Sequence, residues 1–217
     1  KLFFPINHLE GHALSPSIEN KISFPYLLLL VSGGHSQYLI VNDVNNYKQI
    51  GTTIDDAVGE AFDKTAKILN LGYPGGPNVE KFSKLGKKDS FVLPQPIINR
   101  AGCNLSLAGL KTDVLRKSKN LKSNKERYNL AASFQETVNK ILKKKTEVAM
   151  NQFRNEINGK YLKYFVVAGG VASNETIRKG LKEVSLKMNF KPIFPSKEFC
   201  GDNAAMIAWA GIQRCKK

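Results

Sequence analysis

The three histidines of this 217-residue chain lie within its first 35 residues, in two short motifs. His8 and His12 enclose the sequence Leu9-Glu10-Gly11, and residues four apart on a helix share one face. Two imidazoles on one face are typical ligands of a borderline divalent metal such as zinc or iron, which needs a third ligand from elsewhere. The competing interpretation is a pair of surface or capping histidines on a short helix.

The position of Glu10 argues against a metalloprotease. In the protease helix the glutamate directly follows the first histidine, where it activates the metal-bound water. Here it lies one residue later, about 100° further around a helix. Asn7, three residues before Glu10, predicts a helix N-cap with Glu10 completing a capping box. The best third metal ligand is Asp202, whose alternative role is an ordinary cap for the last helix.

Three glycine-rich turns are of the kind that brings backbone amides close to a phosphate. The first, Ser32-Gly33-Gly34-His35, follows an apolar run and predicts a β-hairpin. The second is Tyr73-Pro74-Gly75-Gly76-Pro77, which must form a turn. The third, Gly169-Gly170, follows a strand but lacks the G-x-G-x-x-G spacing of a dinucleotide site. Together the three turns indicate a site that closes around a nucleotide.

The order of elements predicts a mixed α/β fold. We expect strands over 24–31, 36–42, 47–52, 164–168 and 193–194, and helices over 55–69, 125–157, 175–188 and 203–215. Asp55 and Asp56 should stand at the positive end of the first of these helices. Asp63, on the same helix, is either a partner of Lys64 or Lys67 or an acceptor for ribose hydroxyls. The last helix is apolar on nearly every side, which predicts that it is buried.

Composition and charge bound the class of protein. The longest strongly apolar run, 26–31, is far short of the roughly 20 residues that span a bilayer, so no membrane segment is predicted. Three cysteines without close pairing fit a reducing compartment, which indicates a cytoplasmic protein. A net charge of +15 suits a nucleic-acid partner, but the excess of lysine and asparagine is also what an AT-rich genome produces. Because the chain starts at Lys1, directly before the histidine motif, we expect that an N-terminal part is missing.

Read in order, the motifs of the chain resemble those of the TsaD family, the tRNA adenosine threonylcarbamoyltransferases formerly classed as O-sialoglycoprotein endopeptidases. Besides the histidine and glycine motifs, the resemblance is carried by Ile54-Asp55-Asp56-Ala57, by residues 59–67, by Leu107-Ala108-Gly109-Leu110-Lys111-Thr112, by Gly169-Gly170-Val171-Ala172-Ser173-Asn174 and by Cys200-Gly201-Asp202-Asn203. It spans essentially the whole chain. The departures are mild: Ala172-Ser173 stands where the order is more often Ser-Ala, and Gly201 where threonine is common.

The resemblance implies the fold of the actin, sugar kinase and Hsp70 (ASKHA) superfamily, two α/β lobes around a nucleotide cleft. Residues 1–23 would be the end of the first lobe, carrying the metal-binding helix, and residues 24–217 the second lobe. The resemblance makes His8, His12 and Asp202 the ligands of one metal ion, iron or zinc. The residues it places along the adenylate of the substrate are Leu30, Val31, Ser32, Gly33 and Gly34, with Asp63, Gly76 and Asn174 at the nucleoside.

The implied reaction moves a threonylcarbamoyl group from threonylcarbamoyl-AMP to the exocyclic amine of the adenosine beside the anticodon, in tRNAs that read codons beginning with A. The implied partners are tRNA and, in a bacterium, the TsaB and TsaE proteins; no general base is identified. Two alternatives stay open: an ATPase or sugar-kinase-like phosphotransferase of the same fold, and an inactive scaffold subunit. The 217 residues alone are expected to bind nucleotide weakly and to turn over nothing.

Overall fold

The computed structural model describes residues 3, 5–157 and 162–216. Within these residues five strands form one mixed sheet in the order β3-β2-β1-β4-β5. The strands are β1 (Tyr26–Val31), β2 (Ser36–Asp43), β3 (Asn46–Thr52), β4 (Tyr164–Ala168) and β5 (Lys191–Ile193). The helices are α1 (His8–Leu14), α2 (Val58–Ile68), α3 (Gly75–Ser83), α4 (Ala108–Ser118), α5 (Asn124–Glu156), α6 (Glu175–Lys187), α7 (Lys197–Cys200) and α8 (Ala204–Cys215), with 3₁₀ segments at Ser15–Ser17 and Gly170–Ser173.

The central position of β1 in the sheet explains why its sequence is a continuous apolar run. It pairs antiparallel with β2 and parallel with β4, and all six of its residues are buried. Leu27, Leu29 and Val31 face a core built with α2, α5 and α6, whereas Leu28 and Leu30 face a smaller core that includes Ala13 of α1. A strand that is covered on both faces has no polar face, so apolar and polar residues do not alternate along it. Five strands were predicted and five are found in the described residues, but β1 begins at Tyr26 and not at residue 24, and the fifth, expected at 193–194, is Lys191–Ile193.

Asp55, one of two acidic residues before α2, makes hydrogen bonds to the start of α4. The helix begins at Val58, and the expectation that Asp55 and Asp56 form its first turn is wrong. Asp55 instead accepts hydrogen bonds from the backbone nitrogens of Leu107 (2.7 Å) and Ala108 (3.2 Å), where α4 begins. These amides have no partner inside their own helix, so a carboxylate from elsewhere in the chain satisfies them.

The segment from Tyr73 to Pro77 starts a helix, so the expectation of a simple turn is wrong. Pro74 occupies the N-cap position and α3 begins at Gly75. Prolines are tolerated there because the first turn of a helix needs no backbone donors. The sequence pattern between 72 and 111 was too weak to predict either α3 or α4.

Helix α8 is more exposed than its composition suggests. Only Met206 and Ala210 are fully buried, while Ala204, Ala205 and Ala208 are exposed. In the described residues α8 packs mainly against α1, which covers one side of it. The expectation of a buried helix is therefore wrong for this part of the chain, because composition does not say which surfaces are available to cover it.

None of the described helices is long and apolar enough to cross a membrane. The division of the chain at residue 23 into parts of two lobes stays a prediction.

Candidate metal centre and nucleotide cleft

Helix α1 places the two histidines of the first motif side by side. The Asn7 side chain accepts a hydrogen bond from the Leu9 backbone nitrogen (2.8 Å), which confirms the predicted N-cap. The rings of His8 and His12 are 4.9 Å apart between centroids and nearly perpendicular. Both Nε2 atoms face one oxygen of Asp202, at 3.2 Å from His8 and 3.0 Å from His12. One ligand atom from each of the three residues lies within 4.8 Å of the others, so the cluster can hold a metal ion.

The chemistry of this cluster fits a divalent metal. His12 is only 1% exposed, and burial lowers its pKa despite the opposing effect of Asp202. A lowered pKa keeps the imidazole neutral, which is the form that binds metal. The Nδ1 atom of His12 is buried and has no hydrogen-bond partner among the described residues, so nothing there holds the ring except packing and Asp202. Two imidazoles and a carboxylate leave further coordination positions open.

Asp202 is free to face the histidines because its neighbour caps α8. The Asn203 side chain accepts the hydrogen bond from the Met206 backbone nitrogen, at 2.9 Å. The interpretation of Asp202 as an ordinary helix cap is therefore wrong. Its side chain is 74% exposed, and its polar contacts in the described structure are with the two imidazoles.

Glu10, the charged residue between the histidines, links α1 to the far end of α8. Its carboxylate is buried, accepts a hydrogen bond from the Tyr47 hydroxyl (3.2 Å) and pairs with Arg214 at 2.5 Å. The expected capping box with Asn7 is therefore wrong. Arg214 also donates to the Pro5 carbonyl at 3.0 Å. Neither Tyr47 nor Arg214 carried a sequence signal, since they lie 37 and 204 residues from Glu10.

The Glu10–Arg214 pair gives a testable prediction. A buried ion pair that loses one partner leaves an uncompensated charge, so Arg214→Met should lower the free energy of unfolding by about 3 kcal/mol. The double variant Glu10→Gln with Arg214→Met should recover most of that loss, because no buried charge remains. Denaturant unfolding of the single and double variants measures both values. Equal losses in the two variants would show that packing of the arginine, and not its charge, supports α1.

Gly11 allows the two helices of the metal cluster to approach closely. A methyl group at this position would lie 2.9 Å from Cδ1 of Ile207 and 3.3 Å from Cγ of Met206. Close contact between α1 and α8 in turn brings Asp202, just before α8, to the histidines of α1.

A glycine-lined cleft lies where β1 and β4 end. Because these strands are parallel neighbours, the turns that follow them, at Ser32 and Gly169, emerge side by side. The cleft has a volume of about 260 Å³, and its lining includes Gly33, Asp63, Gly76 and Asn174. The structure thus brings together four residues that were expected at the adenylate.

The remaining residues of the first glycine motif are placed differently. Leu30 and Val31 are wholly buried inside β1, so they position the turn from below and do not line the cleft. Ser32 closes the turn: its backbone nitrogen donates to the His35 carbonyl (2.8 Å), and its hydroxyl accepts from the His35 nitrogen (3.1 Å). Gly34 is exposed, with open space where a side chain would stand.

The metal cluster and the glycine turn are neighbours. His35, at the end of the turn, lies close enough to His12 to contribute to the lowering of its pKa. The turn that lines the cleft at Gly33 therefore ends, at His35, near the His8, His12 and Asp202 cluster.

Asn174 forms part of the cleft wall through a buried network. Its oxygen caps α6 by accepting from the Ile177 nitrogen (3.0 Å), and its amide donates to Gln135 of α5 (2.9 Å). Gln135 in turn donates to Ser83 (2.8 Å) and Thr176 (3.0 Å). Sequence reasoning missed Gln135, because it lies on a long helix whose pattern shows only its apolar face.

Asp63 is available to a ligand. Lys64 pairs with Asp56 (2.7 Å) and Glu60 (2.6 Å), and the described residues show no ion pair between Asp63 and either neighbouring lysine. A methyl group on Gly75 would lie 2.5 Å from Oδ1 of Asp63, so that glycine allows the start of α3 to pack against the carboxylate. This placement favours the interpretation of Asp63 as an acceptor over that of a lysine partner.

Arg178 of α6 joins the third glycine turn, after Gly169, to the segment that leads to Asp202, a connection that the sequence did not reveal. Its guanidinium donates to the carbonyls of Ala172 (3.0 Å) and Pro195 (2.8 Å). It also lies over the ring of Phe194, at 5.0 Å from the centroid. The cleft and the metal cluster therefore share a support.

The sequence matches a family model and named relatives. The family model described as "TsaD: tRNA N6-adenosine threonylcarbamoyltransferase" matches residues 1–209. A protein of that name from Pelagibacter ubique (strain HTCC1062) is 54% identical, over 100% of this chain and 60% of its own length. One from Rickettsia rickettsii (strain Sheila Smith) is 48% identical, over 99% of this chain and 63% of its own length. The chain thus spans about three fifths of the length of these relatives.

The fold also has a counterpart among solved structures. The activator of the 2-hydroxyisocaproyl-CoA dehydratase from Clostridium difficile, solved with bound ADPNP, matches with a TM-score of 0.51 and 18% identity. The match covers 98% of this chain and 70% of that one, and at this identity it shows the fold alone. Together with the family match, it agrees with the expected α/β fold of the ASKHA type. The family model covers nearly the whole sequence, and the Pelagibacter and Rickettsia relatives are about half identical to it. The chain therefore belongs to the TsaD family.

Proposed function

We propose that the full-length protein transfers a threonylcarbamoyl group from threonylcarbamoyl-AMP to the exocyclic amine of the adenosine beside the anticodon, in tRNAs that read codons beginning with A. The proposal concerns the full-length protein because the chain spans about three fifths of its relatives' length. The observation that carries it is the juxtaposition of the His8, His12 and Asp202 cluster with the glycine-lined cleft, in a chain of this family.

In this proposal His8, His12 and Asp202 hold one divalent ion, iron or zinc. When bound, such an ion supplies Lewis-acid stabilisation of negative charge that develops on the substrate. The neutral state of His12 and the carboxylate of Asp202 suit either metal.

The cleft residues have separate roles towards the adenylate. The backbone amides of Gly33 and Gly34 hold the phosphate, whose negative charge they stabilise without a counter-charge. The Ser32 amide already donates to the His35 carbonyl and keeps the turn closed. Leu30 and Val31 keep that turn in place from inside the sheet. At the nucleoside, Asp63 accepts hydrogen bonds from the ribose hydroxyls, Gly76 leaves room for the ring, and the Asn174 network keeps the wall rigid. The leaving group, AMP, is thus bound by groups that are already oriented before reaction.

The proposed partners follow from the substrate. A chain with a net charge of +15 binds tRNA in part by releasing counterions, so the apparent affinity for tRNA should fall steeply with salt. We place the protein in the cytoplasm, where tRNA is modified, and, in a bacterium, with the TsaB and TsaE proteins.

A reconstituted transfer assay tests the proposed function. The full-length protein with its partners is given threonylcarbamoyl-AMP and tRNA, and AMP release is measured together with incorporation of labelled threonine into tRNA. We expect the two to rise together, and to fall together after His8→Ala. If no transfer occurs but ATP is hydrolysed with magnesium, and hydrolysis survives His8→Ala and His12→Ala, the protein is a phosphotransferase of the same fold.

A further inference from the structure

A second depression lies beside the nucleotide cleft. Its volume is about 510 Å³, and it is lined by the C-terminal half of α2 and the segment that leads into α3. Asp63 belongs to both depressions, and Gly75 of one is followed directly by Gly76 of the other. The two depressions are therefore adjacent, and they share the Asp63 carboxylate.

Tyr73 presents an aromatic ring to solvent at this second depression. Its side chain is 88% exposed, and its hydroxyl makes no hydrogen bond within the described part of the chain. The backbone on either side is anchored: Leu71 is buried, Gly72 has a φ of +88°, and Gly75 packs against Asp63. A large exposed ring on an anchored backbone offers a stacking face at a fixed place on the surface.

The polar groups around the ring are those that recognise a nucleotide. Lys67 is exposed and forms no ion pair with any described residue, unlike Lys64, which is engaged by two carboxylates. Asn70 also lines the depression. An aromatic face for a base, an ammonium for a phosphate and an amide for a base edge are the groups that bind single-stranded nucleic acid.

We propose that this depression binds an unstacked nucleotide of the RNA substrate, with its base on Tyr73 and its phosphate at Lys67. This inference rests on the proposed function, which supplies the RNA. The nucleotide would lie across Asp63 from the nucleoside of the adenylate, and the carboxylate can accept a ribose hydroxyl from either side. RNA thus gains a contact beside the bound adenylate that the glycine turns do not provide.

Kinetics of variants of the full-length protein test this site. Tyr73→Ala should raise the KM for tRNA about tenfold, because a stacked base is lost. Tyr73→Phe keeps the ring and should stay within about twofold of the original KM. Lys67→Gln should raise the KM and reduce the slope of log affinity against log salt by about one. The affinity for threonylcarbamoyl-AMP should not change in any of these variants.

Two variants outside the depression serve as matched controls. Val92 is 91% exposed and Lys119 is also exposed, so Val92→Ala and Lys119→Gln remove an exposed apolar group and a positive charge elsewhere. Both should keep the original KM for tRNA.

The outcomes separate this inference from the proposed function. If the original protein transfers threonylcarbamoyl but Tyr73→Ala keeps its KM for tRNA, the nucleotide site is wrong. The same holds if Tyr73→Phe is as impaired as Tyr73→Ala, because loss of the hydroxyl then explains the effect. If the original protein transfers nothing, the proposed function fails, and fluorescence anisotropy with labelled tRNA decides about the depression: equal affinity of Tyr73→Ala and the original protein overturns it.

Discussion

Asp202→Ala should remove the bound metal from the full-length protein and lower threonylcarbamoyl transfer by a hundredfold to a thousandfold, on the order of what an enzyme loses with one group that stabilises developing charge. The reason is geometric. Asp202 offers one oxygen to both imidazoles, at 3.2 Å from His8 and 3.0 Å from His12, and it is the only carboxylate that the described residues place in this cluster. Two imidazoles alone bind a divalent ion much more weakly.

The same variant should leave the fold intact, which makes the result interpretable. Asp202 is 74% exposed and Asn203 supplies the cap of α8, so the free energy of unfolding should change by less than about 0.5 kcal/mol. Elemental analysis should find about one metal ion per chain in the original protein and almost none in the variant. Asp89→Ala, which removes an exposed carboxylate elsewhere, is the control and should keep its metal. Full metal content in Asp202→Ala would mean that the ion is held by other residues.

Gly169→Ala should destabilise the protein by about 2–4 kcal/mol and weaken nucleotide binding. Gly169 has a φ of +94°, a backbone conformation that residues with a side chain rarely adopt. A methyl group there would overlap the carbonyl oxygen of Val31 and lie 3.2 Å from the nitrogen of Ser32. Both atoms belong to the main chain of β1 and its turn, so no flexible side chain can move aside. Relief of the overlap would displace the turn that carries Gly33.

The next glycine provides a matched control for stability. A methyl group on Gly170 would meet no atom within 4 Å, so Gly170→Ala should change the free energy of unfolding by less than about 0.5 kcal/mol. Denaturant unfolding of both variants measures the difference, and calorimetry with AMP as the probe measures binding by Gly169→Ala. Equal stability of the two variants would show that the two turns are less closely packed than the structure indicates.

Side chains outside the site support both the metal cluster and the cleft. Arg178 holds the carbonyls of Ala172 and Pro195 together, and so joins the wall of the cleft to the segment that ends at Asp202. On the other side, Glu10 and Arg214 hold the helix of the histidines against α8. A change in either support is therefore expected to affect the metal cluster and the cleft through packing, although none of these side chains lines the cleft.

The sequence by itself determined the local elements and the residue types of the site. The apolar run of β1, the N-cap at Asn7, the spacing of His8 and His12 and the long α5 are set by neighbours along the chain. The resemblance of the motifs was enough to name the family, and it pointed to Asp202 as a metal ligand and to Asp63 as a residue of the nucleoside site.

Only the tertiary structure decided which distant groups meet. It placed Glu10 against Arg214 instead of in a capping box, sent Asp55 to the start of α4, and left α8 covered on one side within the described residues. It also brought Asp202 to the histidines across some 190 residues of chain. The physical reason is that local propensity acts over a few residues, whereas these contacts depend on how whole helices pack on the sheet, which no short pattern encodes.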